Sequence, residues 1–187
     1  ALVGGGLASQ RCAEMLRRKG FEGEITLVTG EDGLPYDRPP LSKGFLTGEV
    51  EREEVEFRVP EWYGDAGVEL ITGPRAARLC PDARIVELEA GREVRFGNLL
   101  IATGSRPRQL PALAGRSNVH YLRSITDSLR LRSAIEPGNR MVIIGGGFIG
   151  QEIASSALAL GAEVTIVEAL PQPLAGILGE DVGHHFA

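Results

Sequence analysis

Gly4-Gly5-Gly6-Leu7-Ala8-Ser9 near the start and Gly145-Gly146-Gly147-Phe148-Ile149-Gly150 later in the chain are two copies of one glycine pattern, and everything around them repeats as well. After Gly6 the spacing predicts a helix with Leu7, Ala8, Cys12, Met15 and Leu16 on one face, closing at Gly20. After Gly147 a helix of equal length carries Ile149, Ile153, Ala154, Ala157 and Leu158 and closes at Gly161. A short β-branched strand follows each helix, Ile25-Thr26-Leu27-Val28 and Val164-Thr165-Ile166-Val167, and each leads to an acid, Glu31 or Glu168. The second copy also has its entering strand, Met141-Val142-Ile143-Ile144. The chain therefore holds two βαβ openings.

A G-x-G-x-x-G turn binds a dinucleotide because each glycine removes a separate steric obstacle. The first permits the turn, the second lets a pyrophosphate approach the backbone, and the third lets the helix pack against the strand. The helix N-terminus then presents free N–H groups and a positive dipole end to the phosphates. Gly4, Gly6, Leu7, Ala8 and Ser9 are the candidates in the first copy, with Ser9 a small substitute for the third glycine. Gly145, Gly147, Phe148, Ile149 and Gly150 are those in the second. For a single copy the plainer reading is a glycine-rich turn without ligand; two copies in the same context imply two dinucleotides. Glu168 ends its strand directly, where a carboxylate accepts hydrogen bonds from a ribose and repels a 2′-phosphate, and no arginine lies between it and Leu178. NADH is favoured over NADPH. Glu31 stands further beyond its strand, and an acid at Gly30 would serve as well.

Between the copies, residues 68–71, 75–79, 85–88 and 98–102 are short alternating runs broken by Gly73, Pro81 and Gly91, and they read as a small β meander. Pro107 and Pro111 followed by a surface loop at 115–118 place a domain boundary near residue 110. Glu49, Glu51, Glu53 and Glu54 read as a solvated helix face, and Trp62 and Tyr63 as packing residues of the first domain.

At 187 residues, with 43% hydrophobic and 24% charged residues and no apolar run of membrane-spanning length, the chain reads as a soluble globular protein. A net charge of -5 argues against a general nucleic-acid binder. Cys12 and Cys80 lack the spacing of a disulfide framework or a zinc site, which suits a reduced cytoplasmic protein. The adjacent His184 and His185 are a poor arrangement for a metal, so none is expected. Ala1-Leu2-Val3 runs straight into the first turn without an initiator Met, as if clipped inside a strand, so a targeting signal cannot be judged.

The segment Pro35-Tyr36-Asp37-Arg38-Pro39-Pro40-Leu41-Ser42-Lys43 sets rigid prolines beside two cations. Read as structure alone it is a turn and a helix start. It resembles the Y-x-R-P-x-L-S-K signature of the ferredoxin and rubredoxin reductases that serve bacterial oxygenases, within the pyridine nucleotide-disulfide oxidoreductase superfamily. Apoptosis-inducing factor and the glutathione-reductase group are more distant relatives. The resemblance extends through Ala102-Thr103-Gly104-Ser105-Arg106-Pro107 and Gly145 to Glu152.

It implies an α/β fold of two Rossmann-like domains, three-layered, with a parallel sheet and a β meander: residues 1–110 as the first part of an FAD-binding domain and 111–187 as an NAD-binding domain cut short. It implies FAD on the first turn and NADH on the second, with Ala102, Thr103, Gly104 and Arg106 also at the cofactor. By the same resemblance Arg38 and Lys43 lie near the flavin or its pyrophosphate and Arg123 contacts FAD. Lys43 would pair with Glu152 beside the isoalloxazine, and Phe148 would cover the ring face where nicotinamide stacks. Hydride transfer needs no acid or base, so these three act by positioning. Without the resemblance they would read as a surface lysine, a solvated helix residue and a core aromatic. Members of the family are longer, carrying a Gly-Asp motif that completes the FAD domain and a further C-terminal domain. The chain is accordingly expected to be a fragment that retains flavin poorly.

The implied activity is electron transfer from NADH through FAD to a small iron–sulfur protein, a ferredoxin or rubredoxin. An NADH oxidase, peroxidase or disulfide reductase could use the same scaffold. Peroxide and disulfide chemistry needs a flavin-side cysteine, for which Cys12 on the first helix and Cys80 in the meander are poorly placed, whereas an oxidase does not. An NADH-responsive signalling protein like apoptosis-inducing factor would be expected to add a basic surface, which -5 does not support. The same acidity means that docking an acidic ferredoxin needs a local basic patch. Oligomeric state is not legible here.

Overall fold

A computed structural model describes residues 1–185. In chain order its first half contains β1 (Leu2–Val3), α1 (Leu7–Arg18), β2 (Ile25–Thr29), α2 (Gly44–Thr47), α3 (Arg52–Val55), α4 (Pro60–Asp65), β3 (Val68–Thr72), β4 (Ala76–Cys80), β5 (Ile85–Leu88), β6 (Glu93–Arg95) and β7 (Leu100–Ile101). Its second half contains α5 (Ile125–Ala134), β8 (Arg140–Ile144), α6 (Phe148–Ala159), β9 (Glu163–Val167), α7 (Ala175–Leu178) and α8 (Glu180–His185). The chain divides into two units, Ala1–Asp37 with Arg52–Arg106, and Arg38–Glu51 with everything from Pro107 onward. Residues 1–110 are expected together from the sequence, whereas residues 38–51 leave the first unit. The reason is burial: Leu41, Phe45 and Leu46 are almost fully enclosed, and their segment packs against α5 and α6.

The first unit has three layers. Its parallel sheet runs in the order β3-β2-β1-β7, and β4-β5-β6 form an antiparallel meander. Successive strand residues point to opposite faces, which sorts the apolar side chains into two cores. Leu2, Ile25, Leu27 and Val68 pack with Ala13 of α1 and Tyr63 of α4. Val3, Val28 and Ile71 pack instead with Val86, Leu88 and Val94 of the meander. Two of the runs read as meander, 68–71 and 98–102, are in fact outer strands of the parallel sheet, β3 paired with β2 and β7 with β1. The meander's third strand is Glu93–Arg95, a run with only Val94 buried. Alternation identifies a strand, but the partner is chosen by contacts distant in sequence.

In the second unit β8 and β9 pair in parallel, Arg140 opposite Glu163 through Ile144 opposite Val167, with α6 as their crossover. Both glycine-led helices are 12 residues long, and each is followed by a left-handed glycine, Gly20 or Gly161. Their buried faces match the expected ones only in part: Ala154 and Ala157 are buried, and Cys12 and Leu16 pack partly buried against the core. Leu7 and Met15 of α1 are exposed, and the fully covered positions are Ser9, Gln10 and Ala13. In α6 Ile149 and Leu158 are exposed, while Ala154, Ser156 and Ala157 are enclosed. In each case small side chains, Ser9 and Ala13 in one helix and Ala154, Ser156 and Ala157 in the other, let the helix axis come close to its neighbours, with Gln10 the large side chain enclosed beside the first pair.

Candidate cofactor sites

In the first unit β1 delivers the chain into Gly4 at φ +127, a conformation that side-chain-bearing residues rarely adopt. A Cβ there would also run into the Ala102 carbonyl, just past β7, so Gly4 lets the turn and the 102–104 segment meet. The Gly4 N–H is tied to Val28 O at 2.8 Å and the Ala102 N–H to Val3 O at 2.8 Å. Gly6 then caps α1 without any side-chain acceptor, and no acid occupies the first turn. A Cβ on Gly6 would meet nothing within 4 Å, and Leu7 and Ala8 face solvent. An uncapped helix N-terminus with open space before it suits a phosphate group. Thr103, Gly104 and Arg106 are exposed beside this edge of the sheet's own unit. Ser9 does not belong to the open rim: it is fully enclosed and its Oγ has no partner. Glu31 lies two residues past β2, its N–H on Thr29 Oγ1 and its carboxylate accepting the Tyr36 hydroxyl.

The second unit repeats the arrangement. Gly145, at φ +108, donates to Val167 O at 2.8 Å, and Gly147 caps α6 with no side-chain acceptor and nothing within 4 Å of a would-be Cβ. Gly150 is where the helix comes closest to the turn, since a Cβ there would collide with the Gly145 carbonyl. Glu168 follows β9 and does more than its strand-end position suggested. Its carboxylate accepts N–H groups from Leu170 at 2.9 Å and from Gly146, inside the glycine turn, at 2.7 Å. These backbone donors hold its pKa below the usual carboxylate value. Each carboxylate oxygen still has accepting capacity for another donor.

Lys43 and Glu152 meet in the second unit. Lys43 Nζ lies 2.7 Å from Glu152 Oε1 and also donates to Pro39 O at 3.1 Å, while Ser42 Oγ donates to Glu152 Oε2 at 2.6 Å. Partial burial of Glu152 opposes its charge, but hydrogen bonds from Lys43 and Ser42 and the lysine's charge outweigh it, and its pKa is lowered. Phe148, half-exposed, is one turn earlier on the same face of α6. Arg38 donates to the Arg123 carbonyl at 2.6 Å, next to the capping box in which Ser124 and Asp127 start α5. Ser42 was not singled out by sequence reasoning; its only signal was a place in the Y-x-R-P-x-L-S-K run. Among the described residues no cluster of His, Cys, Asp and Glu is arranged to hold a metal.

The family described as pyridine nucleotide-disulphide oxidoreductase matches residues 1–186. Rhodocoxin reductase of Rhodococcus erythropolis is 38% identical over 187 residues, all of this chain and 44% of that protein. The ferredoxin reductase component of chlorobenzene dioxygenase from Cupriavidus sp. (strain PS12) is 41% identical over 185 residues, 98% of this chain and 45% of the relative. The chain thus spans less than half the length of these relatives. Among solved structures, the covalent putidaredoxin reductase–putidaredoxin complex superposes with a TM-score of 0.94 at 34% identity, over 99% of this chain and 45% of that one.

Proposed function

Because this chain belongs to the pyridine nucleotide-disulphide oxidoreductase family, we propose that it is the nucleotide-binding portion of an NADH-dependent, FAD-containing ferredoxin reductase. In this reading the first unit holds FAD and the second NADH, and electrons leave singly for a small iron–sulfur protein, a ferredoxin or rubredoxin. The observation that carries it is the duplicated uncapped helix N-terminus, each behind a glycine with open space before it. FAD, when bound, supplies the hydride acceptor that can release its electrons one at a time.

The protein's own share is to bind and orient. Gly6, Leu7 and Ala8 offer N–H groups to one pyrophosphate and Gly147, Phe148 and Ile149 to the other. Thr103, Gly104, Arg106, Arg38 and Arg123 serve the flavin dinucleotide, and Glu31 a ribose. Glu168 both accepts from the turn through Gly146 and offers its remaining lone pairs to a ribose, where its charge disfavours a 2′-phosphate. Lys43, held by Glu152 and the Pro39 carbonyl, would supply a cation beside the flavin, and Phe148 would cover the ring face where nicotinamide is to stack. The proposed location is the cytoplasm, in keeping with the absence, among the described residues, of a helix long and apolar enough to cross a membrane.

Anaerobic stopped-flow mixing of the FAD-loaded protein with NADH or NADPH, and then with oxidised ferredoxin or rubredoxin, tests the proposal. Fast bleaching by NADH followed by fast reoxidation on the iron–sulfur protein is the expected result. Reoxidation by oxygen alone would mark an oxidase. A long-lived reduced complex indifferent to every iron–sulfur acceptor would mark a signalling protein like apoptosis-inducing factor.

A further inference from the structure

The segment bearing Lys43 is a 3-10 helix, Pro39–Ser42, that ends abruptly: the Lys43 backbone turns to φ -123, ψ -124 and a new helix begins at Gly44. A helix end leaves its last carbonyls without intrahelical donors, and when buried they must find others. Leu41 and Ser42 are both buried. Their carbonyls are met by hydroxyls from two different helices: Ser128 Oγ of α5 donates to Leu41 O at 2.7 Å, and Ser156 Oγ of α6 donates to Ser42 O at 2.7 Å.

Serine is a poor residue inside a helix, where its hydroxyl usually faces water or bonds back to the preceding turn. These two do neither; both are buried and reach out to another segment. Ser156 stands four residues after Glu152, on the same face of α6. That face therefore grips Ser42 twice, its carbonyl through Ser156 and its hydroxyl through the Glu152 carboxylate. The next residue is Lys43, whose long side chain is half-exposed and is held at its ammonium end by Glu152 and the Pro39 carbonyl.

We propose that Ser156 and Ser128 are positioning residues for the Lys43–Glu152 pair, pinning the two carbonyls that precede Lys43 so that its ammonium meets Glu152 in one register. This rests on the reading that the pair serves hydride transfer. A purely structural role would be confined to satisfying buried carbonyls and would show only in stability.

The test uses FAD-loaded protein carrying Ser156→Ala, Ser156→Thr, Ser128→Ala, Lys43→Met, or Ser156→Ala with Lys43→Met. Three quantities are read: the flavin midpoint potential, the limiting hydride-transfer rate at saturating NADH, and the NADH dissociation constant. Ser156→Ala is expected to lower the limiting rate about tenfold, since small misplacements are costly in near-attack geometry. It should also move the potential toward that of Lys43→Met, and leave NADH affinity within about twofold. Ser156→Thr, which keeps the hydroxyl, restores rate and potential. The double variant is no slower than Lys43→Met alone, because both changes remove the same contact. If Lys43→Met itself leaves rate and potential at wild-type values, the reading of the pair has failed. If Lys43→Met has its effect but Ser156→Ala lowers only the melting temperature, or its effect multiplies with that of Lys43→Met, the proposal for the serines is overturned and the pair stands. Should Ser156→Ala not fold, Ser128→Ala gives the same comparison from the neighbouring carbonyl.

Discussion

Replacing Tyr63 by Phe should destabilise the protein more than the loss of one hydroxyl suggests. Tyr63 of α4 is buried, and its hydroxyl donates at 2.8 Å to Oε1 of Gln10, a fully enclosed side chain on α1 whose amide donates in turn to Glu14 at 3.1 Å. Tyr63→Phe strands the Gln10 oxygen without that donor, and leaving a buried polar group unsatisfied costs about 1–3 kcal/mol. For a chain of this length, about 2 kcal/mol corresponds to a fall of about 4–8 °C in melting temperature. Gln10→Leu should cost a similar amount by stranding the tyrosine hydroxyl. Tyr63→Phe with Gln10→Leu removes both partners, so its cost should fall short of the sum by about 1 kcal/mol.

Burial first, and then the charges of Glu14 and Glu56, push the Tyr63 pKa up to about 12. A pKa raised in the folded state favours the neutral hydroxyl. That stabilisation is complete below the ordinary tyrosine value of 10.0 and is lost as pH rises toward about 12. Tyr63→Phe should therefore flatten the alkaline limb of the stability curve. Thermal unfolding followed by far-ultraviolet circular dichroism, at neutral pH and at about pH 11, measures both effects. A Tyr63→Phe protein as stable as the parent, or a strictly additive double variant, would refute the reasoning.

Ser9→Ala removes an enclosed hydroxyl that has no partner and adds a better helix former, so stability should rise by about 0.5–1 kcal/mol in denaturant titration. A loss of stability would show that the hydroxyl is bonded. Gly150→Ala drives a Cβ into the Gly145 carbonyl and should cost about 1–3 kcal/mol while abolishing NADH binding and sparing FAD content; calorimetric titration with NADH checks this. Glu168→Ser should narrow the preference for NADH over NADPH by about tenfold in kcat/KM, and an unchanged ratio would remove Glu168 from cofactor selection. Acidification tests the ion pair: with the Glu152 pKa depressed, its contribution is present above the ordinary carboxylate value of 4.5 and disappears as pH falls through the lowered one. Lys43→Met should erase that acid-limb difference, read as melting temperature against pH.

The two glycine turns were legible because their signals are local. A glycine at positive φ, an uncapped helix start and a β-branched strand are properties of a few adjacent residues, so Gly4 to Arg18 and Gly145 to Ala159 read correctly in type and extent. The Lys43–Glu152 contact could be anticipated only from the family resemblance of the proline-rich segment. On the residues alone it would have passed as a surface lysine and a solvated helix acid. Ser128 and Ser156 carried no signal at all, because an isolated serine in a helical stretch reads the same whether its hydroxyl faces water or a distant carbonyl.

The amino-acid sequence by itself therefore determined the duplicated βαβ plan and the cofactor class that plan suits, both set by short-range backbone preference and apolar spacing. Only the tertiary structure decided which strands pair and which helix face is covered. It moved residues 68–71 and 98–102 from the meander into the parallel sheet and turned the large side chains Leu7, Met15, Ile149 and Leu158 outward. It also carried residues 38–51 into the second unit, bringing Ser42 to a carboxylate 110 positions away. Such choices depend on which buried surfaces and unsatisfied carbonyls can be matched at once, and no local window of sequence contains both partners.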